Sequence, residues 1–238
     1  MREVFRTDED GIDIEVELEI DAMQREFPWL FSLFLKYDFK SQDEDAQAEF
    51  LEMKESIILT LEKSSLVKYV GMRDIDGWVE LYFYALNSKN LLRSIQSFLE
   101  QNKLIFEHGV VRDTKWDFYT ANLIPNELEY CFMESSKIVE LLKEEGDMQS
   151  ELREVEHYAM FDTDSQKQRF IESMLAKEFV FKDDISTEEC SHGVALVKKH
   201  NLEEESLRKV ISELFDGAKK EHGFYELWST TLVEKDCE

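Results

Sequence analysis

The residues of this 238-residue chain whose types could do acid–base, nucleophilic or metal chemistry are few: five histidines and three cysteines, with Glu156-His157 a possible carboxylate–imidazole pair. A carboxylate next to an imidazole could begin a general-base pair. Successive residues of a strand, however, point to opposite faces. In the extended run 154–161, Glu156 and Tyr158 therefore share one face and His157 takes the other. His192, His200 and His222 flank strand ends of the C-terminal half, where Cys190 or Glu221 could join them around a metal, but the spacings match no known ligand pattern. Cys190 sits in an acidic connection with Asp183, Asp184, Glu188 and Glu189, which disfavour its thiolate and make it a poor nucleophile.

No GxSxG, HExxH, P-loop, GxGxxG or EF-hand pattern occurs in the sequence, and the eight glycines punctuate turns and helix ends without forming a phosphate cradle. No catalytic, metal or cofactor site is therefore expected. Charge points elsewhere. Fifty-three acidic residues against 28 basic ones leave a net charge of −25, a field that repels a phosphate backbone and excludes direct nucleic-acid binding. The same field attracts basic macromolecules and confers solubility. Cys131, Cys190 and Cys237 are odd in number and widely spaced, which fits a reducing compartment rather than a disulfide framework. The first ten residues lack the apolar core of a signal peptide, and no apolar run approaches the roughly 20 residues needed to cross a bilayer. A cytoplasmic protein with no membrane contact is expected.

The elements that must position these residues are legible from periodicity. From Gly11 to Asp21, Ile12, Ile14, Val16, Leu18 and Ile20 alternate with acids, the period of a strand with one face in a core and a row of carboxylates on the other. Such a row either deters edge-to-edge aggregation or waits for a cationic partner. The aromatic run 27–37 reads as a buried strand. Ser41 and Glu44 make a capping box before a helix over 43–63. Strands over 66–72 and 78–86 flank the turn Asp74-Ile75-Asp76-Gly77, and Ser88 is placed to cap a second helix. Residues 104–111 and 116–123 read as strands. Pro125 opens a third helix with Leu128, Phe132, Ser135, Ile138 and Leu142 on one side, ended by Gly146.

The C-terminal half reads strand, helix, strand, strand, helix, strand, with Thr163/Gln166 and Asn201/Glu204 as capping pairs. Counted from Leu30, the N-terminal half repeats this order with an extra leading strand and a trailing helix. The expected fold class is α+β: two tandem ferredoxin-like βαββαβ domains, with antiparallel sheets carrying helices on one face. The polar run 144–153 places the boundary between residues 1–147 and 148–238. Tyr225 and Trp228 are three apart on the last strand, so one is expected in the core and the other at a surface.

With Glu156-His157 on the first strand, the helix closing through Glu213-Leu214-Phe215-Asp216-Gly217-Ala218-Lys219, and Tyr225-Glu226-Leu227-Trp228 on the last strand, residues 152–233 resemble the RraB family. These are protein regulators of ribonuclease E activity. The resemblance implies a small acidic ferredoxin-like domain that inhibits the endoribonuclease by binding the enzyme rather than the RNA. The N-terminal half is similar to a bacterial domain family of unknown function. Residues 78–84, Trp116-Asp117-Phe118-Tyr119, Leu123, Pro125 and Gly146-Asp147 carry that similarity.

Together these readings lead to the expectation of a non-enzymatic interaction protein that meets a basic protein partner, a ribonuclease in the RraB reading. The residues expected to bind are Asp183, Asp184, Glu188, Glu189, Glu203, Glu204 and Glu205, with Tyr225 or Trp228 as an aromatic anchor. Glu203 to Glu205 would equally complement the positive end of their helix. The alternative is a small-ligand site or enzyme in a cleft between the domains, around Trp78, Trp116, Tyr82, Tyr84 and Tyr119. Oligomeric state does not follow from the sequence.

Overall fold

A computed structural model describes residues 2–20, 26–38, 41–186 and 192–234. The chain divides into two compact units, Met1–Pro125 and Asn126–Glu238.

In the first unit, the strands β1 (Arg2–Arg6), β2 (Asp13–Glu17), β3 (Trp29–Lys36), β4 (Val67–Ile75), β5 (Trp78–Ala85) and β6 (Phe106–Arg112) form one sheet in the order β1-β2-β4-β5-β3-β6. All neighbours are antiparallel. The four strands β6-β3-β5-β4, with helices α1 (Glu44–Glu62) and α2 (Leu91–Gln101), are the expected ferredoxin-like unit. The β1–β2 hairpin extends its β4 edge, so two leading strands stand where one was expected. Phe31, Leu33, Leu35, Leu81 and Phe83 pack under α1 and α2 with Phe50, Ile57 and Ile95. Asp76 and Gly77, both at positive φ, make the two-residue turn joining β4 to β5.

Three local expectations are corrected here. Asp43, not Ser41, caps α1, its side chain accepting from the Ala46 N–H, because Ser41 donates instead to the Asp38 carbonyl. Asn90 in the left-handed region precedes α2, and Ser88 does not cap it. Residues 116–123 are not a strand but helix α3 (Asp117–Asn122), because the Asp113 carboxylate accepts from the Asp117 and Phe118 N–H groups and starts a helical turn. This helix lies on the sheet face opposite α1 and α2. Trp116 stacks on Tyr84 with ring centres 3.8 Å apart, and Phe118 meets Tyr82.

The carboxylate row of β2 also has a different role from that expected. Ile14 and Val16 face the α3 side, where Leu123 sits over Gly71, the cross-strand partner of Val16. Glu15 points under α1, where Lys54, only 3% exposed, donates to it at 2.5 Å and the Tyr69 hydroxyl at 2.8 Å. The cation that answers this acid belongs to the protein's own helix. Asp21, the last acid of the row, lies outside the described residues.

In the second unit, β7 (Arg153–Phe161), β8 (Val180–Ile185), β9 (His192–His200) and β10 (Phe224–Thr230) form the antiparallel order β10-β7-β9-β8, again ferredoxin-like. Helices α5 (Asp164–Leu175) and α6 (Glu204–Lys220) cover one face and close on each other at Gly217, where a Cβ would stand 2.5 Å from Met174. The Thr163/Gln166 box caps α5 as expected, but α6 begins after Glu203 without a side-chain cap, so the Asn201/Glu204 pair is not one.

Helix α4 (Glu127–Glu144) does not trail the first unit. It opens with an Asn126/Glu129 capping box, one residue past Pro125, and ends in the expected Gly146 turn. Its stripe delivers Cys131 and Phe132 into the core of the second unit, beside Leu207, Tyr225 and Trp228. The contacts thus divide the chain at Pro125, earlier than the 147/148 boundary expected from the polar run. Burying a side chain the size of Phe132 stabilises by roughly 1.5–3 kcal/mol, more than a polar linker composition can weigh against it.

Candidate functional site

The C-terminal sheet carries the polar groups that sequence singled out, and a β-bulge decides where they point. Between Tyr225 and Leu227 the register of β10 against β7 shifts by one residue, so Tyr225 lies opposite Ala159 and Trp228 opposite His157. Both aromatics therefore face inward, at 4% and 2% exposure, and neither is the surface anchor expected from their spacing. The Trp228 indole N–H donates to Ser135 Oγ on α4 at 3.0 Å.

His157, 1% exposed, enters the same interior with Val155, Ala159 and Phe161. Its Nδ1 is 3.0 Å from the Tyr225 hydroxyl and its Nε2 is 3.1 Å from Nε2 of His200, whose Nδ1 is 2.7 Å from the Asn201 carbonyl. The proton pattern follows from the ends of this chain. A carbonyl only accepts, so His200 Nδ1 carries hydrogen. Burial pushes the pKa of both rings down, with Lys198 adding to it, so both are neutral. The bare His200 Nε2 then accepts from His157 Nε2–H, and His157 Nδ1 accepts from Tyr225 O–H. Burial raises the tyrosine well above its ordinary value, which keeps that donor protonated. The cluster is sealed from solvent, and its effect is to lock β7, β9 and β10 in register. Sequence reasoning set His157 apart from Glu156 correctly but placed His200 among surface ligands. The signal available was alternation, since inward residues of β7 and β9 meet in an antiparallel pair. Among the described residues no group of three His, Cys, Asp or Glu could hold a metal.

The surface acids divide by location. Asp183 and Asp184 are exposed on the edge strand β8, opposite Ala195 and Val194, and Asp184 accepts from Lys167 at 2.6 Å. Glu188 and Glu189 lie outside the described residues. Glu203, Glu204 and Glu205 are exposed at the start of α6, beyond the other end of β9, so the two groups are not brought together. Beside them α4 and α6 run antiparallel: Glu127 pairs with Lys219 at one end, and at the other Gln149 bonds both Val139 on α4 and Leu202 before α6. Between the helices lies a groove of about 390 Å³, with Phe132, Val139, Leu207 and Ile211 among its lining residues and Glu140 and Glu204 on its walls. Arg208 covers the Phe132 ring at 4.0 Å. This groove was not foreseen, because it requires α4 to belong to the second unit.

Residues 132–230 match the family described as Regulator of ribonuclease activity B, and residues 11–124 match a family of unknown function, DUF695. The first match begins inside α4. No curated protein matches the chain. A crystal structure titled as a candidate glycine cleavage system transcriptional repressor aligns over 87% of this chain and 98% of its own, at 9% identity and a TM-score of 0.23, too weak a likeness to bear on fold or function.

Proposed function

We propose that this chain, an RraB domain preceded by a DUF695 domain, is a bacterial cytoplasmic regulator that binds a ribonuclease of the ribonuclease E type. It lowers that enzyme's activity by contact with the protein and not with RNA. The match of residues 132–230 to Regulator of ribonuclease activity B carries this reading. The net charge of −25 supports it, since such a field draws in a basic protein segment and repels RNA. The inward orientation of Tyr225, Trp228, His157 and His200 supports it as well, because these groups find their hydrogen-bond partners inside the domain and leave the exposed carboxylates to meet a partner.

RNA cleavage by purified ribonuclease E, titrated with this protein at low and moderate salt, tests the reading. Cleavage should fall as the protein is added, and the effect should weaken with salt. Reversing Glu203, Glu204 and Glu205 to lysine should weaken capture and flatten its salt dependence. An enzyme that neither slows nor co-sediments with the protein at any salt would overturn the proposal.

A further inference from the structure

We infer that the groove between α4 and α6 is a docking site for an amphipathic helix of a basic protein partner. The inference rests on the reading above that the partner is a protein. The groove is bounded by two antiparallel helices, so a third helix can lie along it with apolar anchors on Val139, Leu207 and the Phe132 ring.

Charge selects the occupant. At the end where α4 finishes and α6 begins, Glu140 and Glu144 stand on one helix with Glu145 just past it, and Glu203 immediately precedes Glu204 and Glu205 in the first turn of the other. All six are exposed, and none is in an ion pair among the described residues. Among the described residues, Lys143 and Arg208 are the only bases lining the groove, and Arg208 is laid over Phe132. Lysine or arginine flanking the apolar anchors therefore meets an excess of carboxylates, and an acidic segment is repelled. The other acid group differs: Asp183 and Asp184 are not among the residues lining this groove, and Asp184 is held by Lys167.

Two probes separate this inference from the ribonuclease reading. The first is a synthetic 18-residue helical peptide with leucine at positions i, i+4, i+7 and i+11 and lysine beside them, titrated into the isotope-labelled full chain. Amide shifts should move at residues 135–143 and 202–211. The paired substitution Ser136→Arg with Glu204→Lys, both at exposed positions, should weaken binding at least tenfold, while Asp183→Lys leaves it unchanged. Unaltered helical content and melting temperature show that the variants fold. The second probe is ribonuclease E itself, assayed with the same variants. Shifts on the sheet face, no peptide binding, or a second copy of the chain filling the groove would each overturn the inference. Inhibition of ribonuclease E that the paired variant leaves intact would overturn it too, while sparing the regulatory reading. Peptide binding in the groove without any effect on ribonuclease E would uphold the docking site and overturn the regulatory reading.

Discussion

The two units share the order of their four ferredoxin-like strands, and each buries an ion pair, but only the second adds a neutral histidine relay. Beneath α1 the first unit buries charge: Lys54 and Glu15 form an ion pair, Tyr69 adds a hydroxyl, and Arg2 reaches in from β1 over the Tyr69 ring. The second unit buries a neutral relay of two histidines and a tyrosine beside an ion pair of its own, Arg153 with Asp147. A charged pair is balanced only while both members are present, because either alone is a desolvated ion. A neutral relay tolerates the loss of a member better but depends on the solvent's proton activity. Both halves are thus exposed to the loss of one member of a buried ion pair, and the second is exposed to acid as well.

The sharpest test of this contrast is to remove one member of the ion pair. Glu15→Leu leaves Lys54 buried with Glu55 as its nearest acid at 3.7 Å, and should cost the first unit about 3–5 kcal/mol in urea unfolding followed by unit-specific resonances. Adding Lys54→Met should recover most of that loss. A double variant as unstable as the single one would show that the pair's charge is not what matters.

Acid is the next lever, and its sign follows from the buried histidines. Unfolded chain takes up protons near the ordinary histidine value of about 6.5, whereas His157 and His200 in the fold resist them to lower pH. The groups facing them are Tyr225 on β10, Lys198 on β9, Arg153 on β7 and Cys131 on α4, none of which supplies a compensating anion. The unfolded state then binds more protons, so the second unit should lose stability as pH falls below about 6.5, by up to about 1.4 kcal/mol per pH unit for each histidine. Replacing His157 by Phe and His200 by Leu should flatten that slope, and the first unit's unfolding should show no counterpart.

Smaller effects test where the units begin and what the edge does. Asn126→Ala removes the cap of α4 and should cost about 1 kcal/mol, read in the unfolding of the second unit and not the first. Asp184→Ala should change stability by only a few tenths of a kcal/mol, since the pair with Lys167 is exposed on the acid's side and Asp164 remains at 3.1 Å.

Much of the architecture was legible because apolar period reports strands and helices directly. The alternation at Ile14 and Val16 marked a strand and the stripe on α4 marked a helix. Period alone does not name the partner. It could not say that Lys54 would be presented to Glu15, nor that Phe132 would enter the later core rather than the earlier one. The strand expected at 116–123 failed for a local reason, an aspartate three residues upstream of Trp116 that accepts two backbone N–H groups. The inward turn of both Tyr225 and Trp228 depends on one extra residue in β10, a backbone event that leaves no trace in side-chain type. As a result, the exposed acids were readable, but the groove beside them was not.

Helix α4 makes a practical point about dissecting the molecule. A fragment cut at residue 148 would retain the four strands α5 and α6 cover, yet it would strip away Ser135, Phe132 and Cys131 and leave the indole of Trp228 facing water. That fragment should be sticky, and most ready to accept the missing helix from an intact neighbour. One cut before Asn126 keeps its own lid and should stay monodisperse.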